Sequence, residues 1–396
     1  MICQDHWRLC NIKDVEMINS QRLAQRFKTL CEIDSLSRHE RDVALEIEKI
    51  LTSMGGQVCY DSAKEKVGGN CSNLVAKFRG TVDASPLFLS GHMDTVGPGE
   101  GIKVQFENGV FRSDGTTILG SDDKSAIAII LEVMEVILEN KIDYPPVEII
   151  FTVCEEIGLL GAKHFDYSLM DSKFGYILDS TDTEGIVTRA PAANKITVKI
   201  YGKAAHAGAA PEKGINAIQI ASRAISKLPL GRLDEETTCN IGTIKGGVAT
   251  NIIPEFVEIH GEARSHDIKK LKSVTRNMIN AFHAAADEFK TDGMNPRVES
   301  LVDDDFSQTL IPEDHRVIRL ARKAALNLGV TLTSRTIGGG ADANVFFSKG
   351  IMAGVLGTGM TDVHTLNESI HIQDMENSAK LVMEILKVHA AGDLSW

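Results

Sequence analysis

The chain has 396 residues, of which 43% are apolar and 24% charged, and a formal net charge of −12. That length exceeds what one hydrophobic core usually serves, so two domains are expected. The negative balance, without any lysine- and arginine-rich run, excludes nucleic acid and an anionic membrane surface as partners. In chain order, Met1–Asn11 lacks a positive start followed by an apolar run, so no secretory signal is read. Gln21–Ile33 and Glu40–Met54 carry apolar residues at helical spacing and predict helices. Asn73–Phe78 and Leu87–Ser90 predict short strands, Asp123–Leu138 a helix, and Val147–Val153 and Phe174–Asp179 further strands. The longest apolar stretch, Ser125–Leu138, is broken by Glu132 and Glu135 and is too short for a bilayer, so it reads as a buried helix.

Continuous apolar runs between helices indicate strands buried on both faces, hence an α/β domain with a mixed, mainly parallel sheet and helices on both faces. The character changes near Asn194. Lys195–Tyr201 alternates strictly, as a half-exposed strand does. Then come a helix from Asn216 to Lys227, strands at Cys239–Ile244 and Glu255–Ala263, a helix from Asp267 to Phe289 and a strand at Arg297–Val302. This order fits a small antiparallel α+β unit with one exposed sheet face. After Pro312 the pattern returns to helix (Val317–Leu328), strand (Leu332–Thr336), helix (Ala343–Phe347) and strand (Ala353–Leu356). The economical reading is a catalytic domain of residues 1–194 and 309–396 interrupted by a smaller domain of residues 195–308.

The seven cysteines are irregularly spaced and make no C-x-x-C pair, which suits a reducing cytoplasm rather than a disulfide framework or a zinc knuckle. Cys154 reads as a buried strand cysteine, since no histidine flanks it closely.

Five segments offer metal-type ligands, mostly at the ends of predicted strands, where α/β proteins build sites. In SGHMDT, His92 and Asp94 lie two apart and point to one side of an extended strand, and Gly91 permits a close backbone approach. In GSDDK, one of Asp122 and Asp123 could cap the helix that follows, but the second carboxylate is then unexplained unless a dication lies beside it. Glu155 and Glu156 follow a strand too apolar for a surface loop. Buried unpaired, each would cost several kcal/mol, so they need a metal, a proton or cations. Asp179 ends another apolar strand, and His364 lies in DVHTLNE. Each of these two is unremarkable alone. Together the five segments give mixed nitrogen and oxygen ligation that suits zinc and tolerates manganese or cobalt. Two metals about 3.5–4 Å apart can polarise a carbonyl and acidify a water. A non-ligating carboxylate must then move the proton, and of adjacent Glu155 and Glu156 one can ligate while the other works as base.

These motifs, HMDT, GSDDK, EEIG, LDS and HTLNE, resemble in order and spacing the peptidase T / carboxypeptidase G / aminoacylase superfamily of co-catalytic zinc hydrolases. The resemblance covers nearly everything after about Asn19 and implies an α/β catalytic domain with an inserted ferredoxin-like lid and dimerisation domain. It implies His92 and Asp179 on one metal, Glu156 and His364 on the other, and Asp122 bridging both, followed by a cis peptide. It further implies Asp94 orienting His92, Glu155 as general base and acid, and no ligand role for Asp123. In GKAAHAG, His206 would reach a neighbouring subunit's active site and stabilise the oxyanion. Asn251 and Arg264 match positions that contact substrate, arginine suiting a carboxylate through its planar fork. Gly339, in the GGGADA run Gly338–Ala343, matches a substrate loop that otherwise reads as a turn before a helix.

The adjacent DDK and the GLLGA after the two glutamates lean towards the peptidase T branch, which releases N-terminal residues from tripeptides. TVCEE also resembles the large multimeric aminopeptidases of the wider clan, but GKAAHAG and the inserted domain favour the first assignment. The expectation is thus a cytoplasmic, homodimeric enzyme that cleaves short peptides with two divalent ions. Its rivals are an amidohydrolase or carboxypeptidase with the same centre, a non-catalytic peptide binder, and a two-metal phosphodiesterase, the last disfavoured by the lack of a basic cluster.

Overall fold

The continuous apolar runs Leu87–His92, Val147–Thr152, Phe174–Ser180 and Met352–Gly357 form the middle of a nine-stranded mixed sheet. The computed structural model describes residues 18–290, 293 and 295–392; the Met1–Asn11 stretch, with Cys3 and Cys10, lies outside them. The described chain divides into two units, one comprising residues up to Thr188, Leu310–Thr336 and those from Ala341 on, the other Arg189–Thr309 and Ile337–Gly340.

In the first unit the sheet order is Gln57–Tyr60, Leu74–Phe78, Val147–Thr152, Leu87–His92, Phe174–Ser180, Met352–Gly357 and Gly185–Ala190, with two short strands beyond. Neighbours among the middle four, from Val147–Thr152 to Met352–Gly357, are parallel, whereas Gln57–Tyr60 with Leu74–Phe78, Leu74–Phe78 with Val147–Thr152 and Met352–Gly357 with Gly185–Ala190 pair antiparallel. Burial on both faces explains the unbroken apolar sequences: Leu87–His92 and Val147–Thr152 are buried at every position. The carboxyl ends of these parallel strands share one edge, and His92, Asp179 and the turn after Thr152 lie along it.

Helix Ser121–Glu139 is apolar nearly all round and packs on Leu87–His92, with helices Ser20–Cys31 and Ile372–Ala390 over it. The glutamates that interrupt its apolar run have partners. Arg22 Nε lies 2.7 Å from the fully buried Glu132, and Arg26 pairs with Glu135. Helix Ile372–Ala390 and the strands Gln57–Tyr60, Gln105–Glu107, Val110–Arg112, Gly185–Ala190 and Ser369–His371 are additions to the expected elements.

The second unit is a five-stranded antiparallel sheet in the order Gly231–Arg232, Thr237–Gly246, Phe256–Ser265, Ala192–Tyr201, Arg297–Phe306. Helices Ala217–Ile225 and Ile268–Asp287 pack on it, and the inward residues Ile196, Val198, Ile200, Val257 and Ile259 meet Phe282 in a core of its own.

Candidate metal centre

His92 is the last residue of its strand, and the glycine before it fits tightly. A Cβ on Gly91 would sit 2.7 Å from Asp123 Oδ2 and 2.9 Å from Ala126 Cβ. Asp122 and Asp123 occupy the non-helical first turn of Ser121–Glu139, and the peptide between them is cis. Glu155 and Glu156 lie in a turn closed by Leu159 N–H donating to Glu155 O at 2.7 Å and Leu160 N–H to Cys154 O at 3.0 Å.

Asp122 stands between two imidazoles, with Oδ1 3.1 Å from His92 Nε2 and Oδ2 3.1 Å from His364 Nε2. His364 Nε2 is also 2.9 Å from Glu156 Oε1. Ligand atoms of His92, Asp122 and Glu156 lie within 4.8 Å of one another, as do those of His92, Asp123 and Asp179. The structure therefore brings together His92, Asp122, Glu156, Asp179 and His364. It also brings in Asp123, which sequence reasoning left outside the ligand set. Asp123 Oδ2 accepts the His92 N–H at 3.2 Å, while its buried Oδ1 has no hydrogen-bond partner.

Asp94 meets His92 through its main chain more closely than through its side chain: His92 Nδ1 is 2.9 Å from the Asp94 carbonyl oxygen and 3.4 Å from Oδ1. The Asp94 carboxylate is occupied elsewhere, accepting Glu155 N–H at 2.9 Å, Glu156 N–H at 3.2 Å and Ser37 Oγ–H at 2.6 Å.

Burial pushes the carboxyls of Glu155, Asp179 and Asp123 well above their ordinary range, and neighbouring carboxylates add to it. Asp122 goes the other way. Burial opposes its ionisation, but hydrogen bonds from His364 and His92 hold it low. His364 is raised to about 10 by Asp122 and Glu156. So many acids beside two imidazoles cannot all ionise without further positive charge, and the orphaned Asp123 oxygen has the same need. Two histidines with several carboxylates form a donor set of the kind that binds dications. The residues fit a pair of them.

Other residues of the neighbourhood were not singled out from sequence. Asp342, in the run quoted for its glycines, is fully buried; its Oδ2 accepts Thr152 Oγ1–H at 2.6 Å, Oδ1 is unpartnered, and burial pushes it up to about 6. Glu368, in the motif quoted for His364, accepts hydrogen bonds from the first turn of the Asp122 helix. Lys124 is buried and bonds to Ser35 Oγ, and Ser37 and Glu40 come from the same SLSRHE segment. Neither the adjacency of acids nor a ligand-like spacing marked that segment.

The remaining predicted residues lie in the second unit. His206 is exposed, and its Nδ1 accepts N–H groups of Gly208 and Ala209 at 3.2 and 3.1 Å, which puts a neutral ring's proton on Nε2. Asn251 is exposed beside it, its carbonyl accepting Ala207 N–H at 2.9 Å. Arg264 is half-buried, with Nη2 3.0 Å from Glu262 and its guanidinium over the Phe306 ring, while its buried Nε has no hydrogen-bond partner; Gly339 is exposed with open space around it.

The sequence matches the profile of a Peptidase dimerisation domain over residues 192–290 and that of Peptidase family M28 over residues 73–209. It is 40% identical over 372 residues to the uncharacterized protein YqjE of Bacillus subtilis (strain 168), covering 94% of this chain and 99% of that one. A tripeptidase from Staphylococcus aureus superposes with a TM-score of 0.89 at 37% identity, covering 95% of this chain and 100% of that one. The aminopeptidase PepT from Bacillus cereus does so with a TM-score of 0.85 at 39% identity and the same coverage.

Proposed function

Since the chain belongs to the M20 family of peptidases, on its peptidase T side, we propose that it is a two-metal aminopeptidase releasing the N-terminal residue of short peptides, tripeptides among them. The observation that carries this reading is Asp122, with one oxygen at each of His92 and His364, and Glu155 in the adjoining turn. His92 and Asp179 would hold one ion, Glu156 and His364 the other, with Asp122 shared. Zinc is the first candidate for this donor set.

When bound, such a pair polarises a peptide carbonyl and makes water acidic near neutral pH. Glu155 takes the proton of the attacking water and delivers it to the departing amine. Its main chain is pinned by Asp94, which limits the positions its carboxylate can take. The Nε2–H of His206 is a suitable donor to the developing oxyanion, supplied by a partner subunit in a homodimer built on the matched dimerisation domain.

Around the cluster, carboxyl groups of Asp94, Asp122, Asp123, Glu155, Glu156 and Asp179 outnumber the basic His92, His364 and Lys124. Two dications would offset most of that negative charge, so the choice of an N-terminal substrate is supported instead by the likeness to the tripeptidase and the aminopeptidase PepT named above. The described cysteines 31, 59, 71, 154 and 239 are all free, in keeping with a reducing cytoplasm.

The test is metal content and hydrolysis of tripeptides with free and blocked amino termini by the wild type and Glu155→Ala. We expect the variant to keep two ions per chain and lose about 10²–10⁴ in kcat. Loss of metal from Glu155→Ala would mean that ligand and base are exchanged. Equal cleavage of the blocked peptides would remove the aminopeptidase reading.

A further inference from the structure

The turn that carries Glu155 and Glu156 is gripped from behind by two carboxylates. Three consecutive amides leave it: Cys154 N–H donates to Glu40 Oε1 at 3.0 Å, Glu155 N–H to Asp94 Oδ1 at 2.9 Å and Glu156 N–H to Asp94 Oδ2 at 3.2 Å. Successive main-chain N–H groups around a residue in left-handed conformation make a concavity that binds anions. Cys154 is that residue, with φ of 54°. A non-glycine residue there costs about 1–2 kcal/mol, so the turn needs something to hold it. Here the anions are the chain's own side chains.

Asp94 is spoken for by the centre itself. Glu40, among the described residues, has side-chain hydrogen bonds with Arg38 and Cys154 and with none of the proposed ligands. It is completely buried, and its Oε1 also accepts the Cys154 thiol at 3.3 Å and Arg38 N–H at 2.9 Å. Glu40 Oε2 has no hydrogen-bond partner. Three donors therefore converge on one oxygen, from a residue next to the start of helix Arg41–Ser53, more than a hundred positions away in sequence. A buried carboxyl could be replaced by an apolar side chain unless its accepting oxygen were needed where it stands.

We infer that Glu40 is a positioning residue for catalysis: its single accepting oxygen fixes the start of the 154–156 turn and thereby sets where the Glu155 and Glu156 carboxylates stand. This rests on the reading of Glu155 as base and Glu156 as ligand. What matters is the reach of the acceptor rather than its charge. Glu40→Gln keeps the accepting oxygen without the charge; Glu40→Asp keeps the charge but draws the oxygen back by one methylene.

The experiment compares these two variants by amide hydrogen exchange and by tripeptide kinetics of the metal-loaded enzyme. For Glu40→Asp we expect exchange at Cys154, Glu155 and Glu156 to quicken about tenfold, with strand Leu87–His92 unchanged. Its kcat should fall about 10–100-fold, as for other supports of a metal centre, with KM within about threefold. Glu40→Gln should stay within about threefold of wild type in both readouts. The inference is overturned if Glu40→Asp matches wild type, if Glu40→Gln is equally impaired, or if exchange in Leu87–His92 quickens as much as in the turn. Glu155→Ala, run alongside, keeps the two ideas apart. Full activity in that variant would remove Glu155 as base, while the exchange data would still decide whether Glu40 holds the turn.

Discussion

Glu368 and Asp122 are joined across the chain: Glu368 Oε1 accepts Asp122 N–H at 3.2 Å and Ser121 Oγ–H at 2.6 Å, while Oε2 accepts Leu119 and Gly120 N–H at 2.8 and 2.9 Å. One buried carboxylate thus satisfies the start of helix Ser121–Glu139, where an anion is electrostatically favoured. Glu368 is four residues beyond His364, so it also ties the His364 loop to the aspartate shared between the histidines. Glu368→Ala would strand three amides and a hydroxyl. At about 1–3 kcal/mol for each of these four unsatisfied buried groups, the loss should reach at least about 4 kcal/mol. Urea denaturation of the metal-free protein measures it, and a variant within about 1 kcal/mol of wild type would show that the contacts are dispensable.

Gly91 predicts a second effect. Its absent Cβ leaves room for the Asp123 carboxylate and for Ala126, both of which would be inside contact distance of an added methyl. Ala126 cannot retreat, since it is part of a helix buried against the sheet. Gly91→Ala should cost about 1–3 kcal/mol and shift His92 relative to Asp122. The denaturation midpoint gives the first number, and a fall in metal affinity gives the second effect. A stable variant with normal metal binding would refute the close packing.

Metal loading should register in stability without any assay of activity. A ligand that binds only the folded state contributes about 2.7 kcal/mol at a hundred times its dissociation constant. Melting temperature should therefore rise when zinc or manganese is added to chelator-treated wild type. His364→Ala should show a smaller rise, because Glu156 and Asp122 would then hold the second ion without their imidazole. An unchanged melting temperature in wild type would argue against a resident pair.

Much of this arrangement was legible in the sequence because its signals are local. Unbroken apolar runs disclosed the parallel strands, and adjacent acids, ahead of an apolar helix for Asp122 and after an apolar strand for Glu155 and Glu156, drew attention to those residues. What escaped was whatever depends on contacts distant along the chain. Glu40 resembles any acid near a helix start, and only its position beneath Cys154 marks it. Asp123 has no ligand role in the family resemblance, and its bond from the His92 amide, made possible by the non-helical turn, had no signal in the sequence. The short strands Gln105–Glu107 and Val110–Arg112 hold too few residues for a period to show. In Ile372–Ala390 the buried Asn377, Ser378 and His389 interrupt the apolar stripe that would have disclosed the helix.

His389 itself carries the last prediction. Its Nε2 lies 2.8 Å from the Ser85 carbonyl and its Nδ1 3.0 Å from an Arg316 nitrogen, while the Phe174 ring packs edge-on at 5.4 Å. The two partners fix the ring as neutral, with the hydrogen on Nε2 donating to Ser85 and Nδ1 accepting from the guanidinium. Burial lowers its pKa; the Ser85 hydrogen bond opposes this in part, and the Arg316 charge adds a smaller lowering. In the unfolded chain the same histidine titrates near 6.5. As pH falls through that value the unfolded state takes up the proton first, so stability present above about pH 6.5 is lost on acidification, by at most about 1.4 kcal/mol per pH unit. Glutamine can supply one donor and one acceptor without titrating. Between pH 7.5 and 5.5, metal-free wild type should therefore lose more melting temperature than His389→Gln, other titrating groups being common to both. Parallel pH profiles for the two proteins would mean that His389 is protonated in the fold, and Arg316 would then have to point away from it.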